Sequence, residues 1–233
     1  MSMLLNPYAL ATGGGGGGSL PPGATAQLDF INGFYYAGGS AQSVSSLLGG
    51  GFDPSAISGS GMLVRVSNSN RPNAIGSLFS DMASGIAAGC TILMEVDFPD
   101  NPVGSFVHFL NTPGYGASTQ WASCYVGGLH APYLEAHPGI SFDYTANSLL
   151  ATGIHKIAIT FYRNAGGGNY EFALSVDGAA ATTQTTMTGP FSPFTTIPIA
   201  HDGDNTILWD AGYLRTFTLY PAKLPSDLPA LTT

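Results

Sequence analysis

The sequence predicts an all-β protein, a two-layer antiparallel sandwich preceded by an extended N-terminal arm. Apolar and polar residues alternate along residues 153–162 and 170–176, which is the period of a strand with one face buried against a second layer. Asp177-Gly178 ends the second segment with a dipeptide that tolerates positive φ. We therefore expect a hairpin into the threonine-rich stretch 182–188.

The predicted arm, residues 1–26, contains an unbroken run of six glycines from Gly13 to Gly18. Such a run is a flexible tether and should be disordered alone. Fixing six glycines costs on the order of 6–12 kcal/mol, more than a segment without side chains recovers by lying on its own domain. An ordered arm would thus be held by neighbouring subunits or a larger particle, or else fold back over its own sandwich. Its apolar anchors would be Met3, Leu4, Leu5, Tyr8 and Leu10.

The remainder, residues 27–233, is predicted to be one β-sandwich domain, since sandwiches of this size routinely stay undivided. Within the predicted strand 90–98, Glu95 and Asp97 share the face that points away from the core. The apolar spacing in the last strand predicts a β-bulge near Arg215-Thr216. Further strands are predicted at residues 61–66, 105–110, 120–126 and 212–221, and short helical turns at 43–48 and 226–231, the latter with Ser226 as N-cap.

Several of these motifs together resemble the concanavalin A-like, laminin G-like jelly-roll domain. They are a strand opening Gly153-Ile-His155, a strand ending Val-Asp-Gly, the segment Pro-Ile-Ala-His-Asp-Gly at 198–203, and Gly-x-Leu-x-x-Phe-x-Leu-Tyr-Pro at 212–221. Residues 28–36, with Leu-Leu at 47–48 and Gly-Phe-Asp at 51–53, resemble the opening of bacteriophage virion proteins that carry such a domain.

This resemblance implies a structural component of a phage-like virion, either a capsid decoration protein or part of a tail or fibre, assembled in the host cytoplasm. Its implied partners are other virion proteins, copies of itself in a homo-oligomer, and a glycan on the host surface. The alternative from another class is a soluble, lectin-like carbohydrate-binding module. Multimeric mass with a rigid arm favours the first function, and glycan binding by an isolated monomer favours the second.

Composition excludes several other classes of protein. Charged residues make up only 9% of the chain, and six Lys and Arg stand against fourteen Asp and Glu, so nucleic acid is not an expected partner. No apolar run approaches the ~20 residues that a membrane-spanning helix needs, and the first residues lack the basic charge of a signal peptide. Membrane insertion and secretion are both disfavoured.

Cofactor and metal sites are not predicted. Cys90 and Cys124 fit no zinc spacing and are expected to be free buried thiols, although a cross-strand disulfide is geometrically open to them. The five histidines show no metal-ligand spacing. Asp202 and Asp204 lie in a turn whose oxygens suit calcium, but such a segment is more often a plain loop.

One motif suggests catalysis. Glu95-Val-Asp97-Phe-Pro-Asp100 is similar to the Glu-x-Asp-x-x-Glu strand of retaining glucanases in the concanavalin-like superfamily. It departs from that pattern at its last position, where Asp100 follows a strand-ending proline, and no tryptophan-rich cleft is expected around it. The protein is thus predicted not to be an enzyme, with a retaining glycoside hydrolase using Glu95 and Asp97 as the less favoured alternative.

Aromatic residues supply the candidate glycan-binding site. Tyr115, Trp121 and Tyr125 lie in a loop-rich segment and its adjoining strand, where they could present ring faces to a sugar. Three tyrosines elsewhere in the chain could do the same, namely Tyr133, Tyr144 and Tyr162. The competing interpretation places Trp121 in the core or in a subunit interface.

Overall fold

The computed structural model describes eleven segments of the chain. They are residues 19–37, 40–44, 57–65, 89–98, 107–111, 122–126, 132–136, 140–143, 152–166, 169–186 and 210–233. The apolar anchors and the six-glycine run of the predicted arm lie outside these segments, as do Tyr115, Trp121, Asp202 and Asp204.

Ten strands form one large antiparallel sheet. The strands are β1 (Ala26–Asp29), β2 (Phe34–Ala37), β3 (Ser40–Ser43), β4 (Ile57–Ser58), β5 (Gly61–Arg65), β6 (Cys90–Phe98), β11 (Gly153–Gly166), β12 (Asn169–Val176), β13 (Thr182–Thr186) and β14 (Asp210–Pro221). The main path of the sheet runs β13-β12-β11-β6-β14-β1-β2-β3, and β5 of the hairpin β4-β5 also pairs with β14.

Four further strands form a second antiparallel sheet. They are β7 (Val107–Asn111), β8 (Ala122–Val126), β9 (Pro132–Ala136) and β10 (Ile140–Asp143). Their order in the sheet is β10-β9-β8-β7, a simple meander in which each strand pairs with the next one along the chain. β7 approaches β5 and β14 of the large sheet, so the two sheets are layers of one sandwich.

The core lies on one face of the large sheet. Ile92, Met94 and Val96 of β6 are fully buried, whereas Leu93, Glu95 and Asp97 between them are only partly buried. Ile157 is paired with Met94 and with Val176, so the buried positions of three strands form continuous rows. Glu95 and Asp97 therefore share the opposite face, as the alternation predicts.

β14 confirms the predicted bulge. Its register against β6 shifts between Leu214 and Thr216, which leaves Arg215 as the extra residue. The bulge restores Leu214 and Phe217 to the same buried face despite their spacing of three. The backbone carbonyl of Arg215 accepts a hydrogen bond from the amide of Phe30, at 2.9 Å, which joins the bulge to the end of β1.

A short C-terminal helix covers part of the opposite face of the large sheet. A 3₁₀ turn at Pro225–Asp227 leads into α1 (Leu228–Thr232). Leu228 packs in a cluster with Ala158 and Ala173. Ser226 lies within the 3₁₀ turn, and the N-cap of α1 is Asp227, so the predicted N-cap is wrong by one residue because the chain makes a tighter turn first.

The predicted hairpin turn at Asp177-Gly178 is confirmed, and it connects β12 to β13. Asp177 has a φ of 49° and Gly178 a φ of 77°, both in the left-handed region that this turn requires.

Cys90 is a free thiol and 1% exposed, and its burial raises the pKa of that thiol to about 12. Among the described residues, no helix is long and apolar enough to cross a bilayer.

Candidate binding face

The four-stranded sheet brings four polar or aromatic positions into one cross-strand row. His108 of β7 is paired with Tyr125 of β8, Tyr125 with Tyr133 of β9, and Tyr133 with Asp143 of β10. Residues paired directly across antiparallel strands share a face, and their Cβ atoms lie about 4.5–5.5 Å apart. The first row therefore places two tyrosine positions side by side at its centre, with a histidine position and an aspartate position at its ends.

A second row lies two residues along β8, β9 and β10, and three residues along β7, where the strand contains one extra residue. Asn111 is paired with Ser123, Ser123 with Glu135, and Glu135 with Ser141. Because strand residues alternate between faces with period 2, Ser123 shares the face of Tyr125. We call the two rows together the polar face.

Between the two rows lies an apolar row on the other side of the sheet. It consists of Leu110, Cys124, Leu134 and Phe142, again paired in register. A sandwich layer with one apolar and one polar face packs the apolar one on the core. A one-residue bulge in β7, between His108 and Leu110, keeps both residues on the faces that match their neighbours.

Of the three predicted glycan-binding residues, Tyr125 lies on the polar face. Tyr115 and Trp121 are outside the described residues. Sequence reasoning missed Glu135 and Asp143 and did not place Tyr133 on a strand, since no strand was predicted over residues 132–143. The polar-apolar alternation from Tyr133 to Glu135 and from Ser141 to Asp143 was the available signal.

The candidate catalytic pair lies on the large sheet. Glu95 is paired across strands with Lys156 and Thr216, and Asp97 with Ile154 and Tyr213. Within the residues that the structure describes, Tyr213 is the one aromatic residue in register with either carboxylate. Ile154, the cross-strand neighbour of Asp97, is 54% exposed, so the sheet surface is accessible to solvent at this position.

Glu95 is also held by an ion pair. The Nε atom of Arg215 donates to Oε1 of Glu95 at 2.6 Å, and both side chains are about three-quarters or more buried, with 20% and 26% exposed. The bulge in β14 brings Arg215 to this position. A carboxylate engaged in this way is a structural contact of the sheet, and Asp100, the third member of the motif, lies outside the described residues.

His155 has a structural partner as well. Its Nδ1 lies 2.6 Å from Oδ2 of Asp177, and the other carboxylate oxygen of Asp177 accepts the backbone amide of Lys156 at 2.9 Å. The carboxylate thus ties the turn after β12 to the start of β11. Where side chains are described, no three His, Cys, Asp or Glu residues gather as ligands for a metal ion.

Comparison with known proteins identifies solved structures of similar fold. The chain matches no protein-family profile and no curated protein. Its structure is similar to the CBM40 carbohydrate-binding module of a Ruminococcus gnavus IT-sialidase, with a TM-score of 0.53 and 12% identity over 73% of this chain and 100% of that one. The same module is known bound to α2,3 sialyllactose and to α2,6 sialyllactose.

Two larger proteins contain a similar domain. A leech intramolecular trans-sialidase has a TM-score of 0.53 and 10% identity over 70% of this chain. The NanB sialidase of Streptococcus pneumoniae has a TM-score of 0.50 and 15% identity over 69% of this chain. This chain spans 26% of each of those proteins. At these identities the likeness concerns the fold alone, and that fold is an antiparallel jelly-roll β-sandwich, as the sequence predicts.

Proposed function

We propose that the protein is a glycan-binding module without catalytic activity, and that the polar face is its binding surface. The observation that carries the proposal is the first row, in which Tyr125 and Tyr133 are direct cross-strand partners between a histidine and an aspartate. This arrangement favours the lectin-like alternative over a purely structural role.

The chemistry of the polar face suits a sugar. A tyrosine has an apolar ring face that can cover the C–H surface of a pyranose, and a hydroxyl that donates and accepts hydrogen bonds. Asp143 and Glu135 add carboxylate acceptors, and Asn111 adds an amide. A few well-placed polar groups around an apolar platform are the usual composition of a small-ligand site.

Two further observations support this function. The solved modules that the chain resembles in fold include one bound to sialyllactose. Glu95 and Asp97, the carboxylate pair that suggested hydrolysis, lie on the large sheet, where Glu95 forms an ion pair with Arg215. Binding without turnover is therefore the better-supported activity.

The test is binding of the full chain to a glycan array, followed by titration calorimetry with the best ligand. We expect Tyr125→Ala and Tyr133→Ala each to weaken binding at least about tenfold, since losing a central aromatic contact costs more than about 1.4 kcal/mol. Ile154→Ala is the matched control, because Ile154 is exposed but lies on the large sheet. Its affinity should equal that of the wild type.

Thermal unfolding of each variant separates lost binding from lost folding. The proposal would be overturned if the folded wild-type chain bound no glycan, or if both tyrosine variants stayed folded and bound as tightly as the wild type. Release of reducing sugar from a bound polysaccharide would overturn the non-catalytic part.

A place for this module in a phage-like virion stays a prediction that rests on the resemblance of residues 28–36 and 47–53. The residues that would make the assembly contacts lie outside the described segments. Deletion of residues 1–22 should abolish incorporation into a particle while the sandwich still folds, and unchanged incorporation would remove the arm from that role.

A further inference from the structure

We infer that the polar face selects uncharged sugars and rejects glycans that carry a carboxylate, including sialyllactose, which binds to a solved module of similar fold. This inference rests on the proposed function. It concerns which class of glycan the same face accepts.

The first observation is the distribution of cationic residues. The stretch between Arg71 and Lys156 contains neither lysine nor arginine, and all four strands of the smaller sheet lie within it. Carboxylates in proteins are recognised mainly by arginine and lysine, because a charge-assisted hydrogen bond is about twice as strong as a neutral one. No such residue stands on the polar face to recognise a sialic acid.

The second observation is that the polar face carries negative charge of its own. Asp143 ends the first row, and Glu135 stands in the second row on the neighbouring strand. Glu135 is paired with Ser141, so Asp143 is its diagonal neighbour, at a typical spacing of about 7–8 Å. A ligand carboxylate placed between these two positions would meet like charge, whereas a sugar hydroxyl would find two acceptors.

The third observation concerns cations that the structure describes in contact with a partner. Arg215 donates to Glu95 at 2.6 Å, and the ammonium group of Lys156 donates to the backbone carbonyl of Thr233. The ammonium group of Lys223 lies over the ring of Tyr220, 5.8 Å from its centre. Arg215 and Lys156 belong to strands of the large sheet, and Lys223 directly follows its strand β14. These three cations therefore belong to the large sheet and are not part of the polar face.

The experiment compares matched pairs of glycans that differ only by a terminal sialic acid, such as lactose and sialyllactose. Affinities are measured on the full chain at about pH 8, where an ordinary histidine is uncharged. We expect the sialylated member of each pair to bind at least about tenfold more weakly than the neutral one, as like-charge contacts at interfaces are strongly unfavourable. Raising the salt to about 1 M shortens the Debye length to about 3 Å and should narrow the difference.

A charge variant tests the cause. Asp143→Asn should reduce the preference for the neutral glycan, because it removes one of the two carboxylates. Asp227→Asn is the matched control, since Asp227 is exposed on the C-terminal turn and its loss changes the net charge equally. The preference should then stay as in the wild type.

The outcomes are distinguishable. If the folded chain binds neither member of any pair, the proposed function fails. If it binds glycans but holds the sialylated member as tightly as the neutral one or more tightly, the inference on charge is overturned and the proposed function stands. An equal loss of preference in Asp143→Asn and Asp227→Asn would also overturn it, since the effect would then follow net charge and not the polar face.

Discussion

Cys90 gives the chain a pH-dependent stability that can be worked out from its burial. The thiol is 1% exposed in the core row of β6, and burial raises its pKa from 9.0 to about 12. In the unfolded chain the thiol ionises above pH 9.0, whereas in the folded chain it stays protonated up to about 12. The thiol's contribution to the free energy of unfolding is therefore complete below pH 9 and falls as the pH rises toward 12.

The magnitude follows from linkage. Between pH 8 and pH 10 the ionisation of an unfolded thiol with a pKa of 9.0 stabilises the unfolded state by about 1.4 kcal/mol. With a urea dependence of about 1–3 kcal/mol per molar, this lowers the urea midpoint by about 0.5–1.4 M. Cys90→Ala lacks this contribution, so its midpoint should fall less over the same interval.

The assay is equilibrium urea unfolding of the wild type and Cys90→Ala at both pH values. The variant is expected to be less stable at pH 8, because it leaves a small cavity, and the gap between the two proteins should shrink at pH 10. Every other titrating group is present in both chains and cancels in the difference. Parallel loss of stability by the two proteins would refute the assignment of the slope to a buried, neutral Cys90.

Two substitutions test the contacts that close the fold. Thr232→Val should lower the free energy of unfolding by about 1–3 kcal/mol, because the buried hydroxyl accepts the amide of Gly178 at 2.9 Å; Thr233→Val, on the exposed side of the same turn, should change it by less than about 0.5 kcal/mol. Gly61→Ala should lower it by more than about 2 kcal/mol, since φ is +119° and the new Cβ would lie 2.7 Å from a backbone oxygen of β14. Gly59→Ala, which meets nothing within 4 Å, is its control. Thermal unfolding checks each pair, and equal losses within a pair would contradict the stated contact.

Local features of the sandwich were predictable because they depend on neighbours along the chain. The turn at Asp177-Gly178 needs two residues that accept positive φ, and the sequence contains them between two alternating segments. The bulge at Arg215 follows from the spacing of Leu214 and Phe217, since only an extra residue returns both to one face. The placement of Glu95 away from the core follows from the same period of two.

The composition of the candidate site was less predictable. Tyr125 was identified together with Tyr115 and Trp121, which are near it in sequence. The register of β8 instead pairs it with His108 and Tyr133, from separate strands. Similarly, the ion pair between Glu95 and Arg215 joins residues 120 positions apart, and no pattern in either segment indicates the other.

The sequence alone thus determined the fold class, the side of each strong strand that is buried, the turn at residue 177 and the absence of lysine and arginine between residues 72 and 155. Only the tertiary structure decided which strands are neighbours and in what register, and hence that tyrosine, histidine, aspartate and glutamate positions meet on one face of the smaller sheet. The physical reason is that alternation is a property of a single extended backbone. Strand pairing depends instead on hydrogen bonds between segments distant in the chain, and any extended segment can form these with many partners.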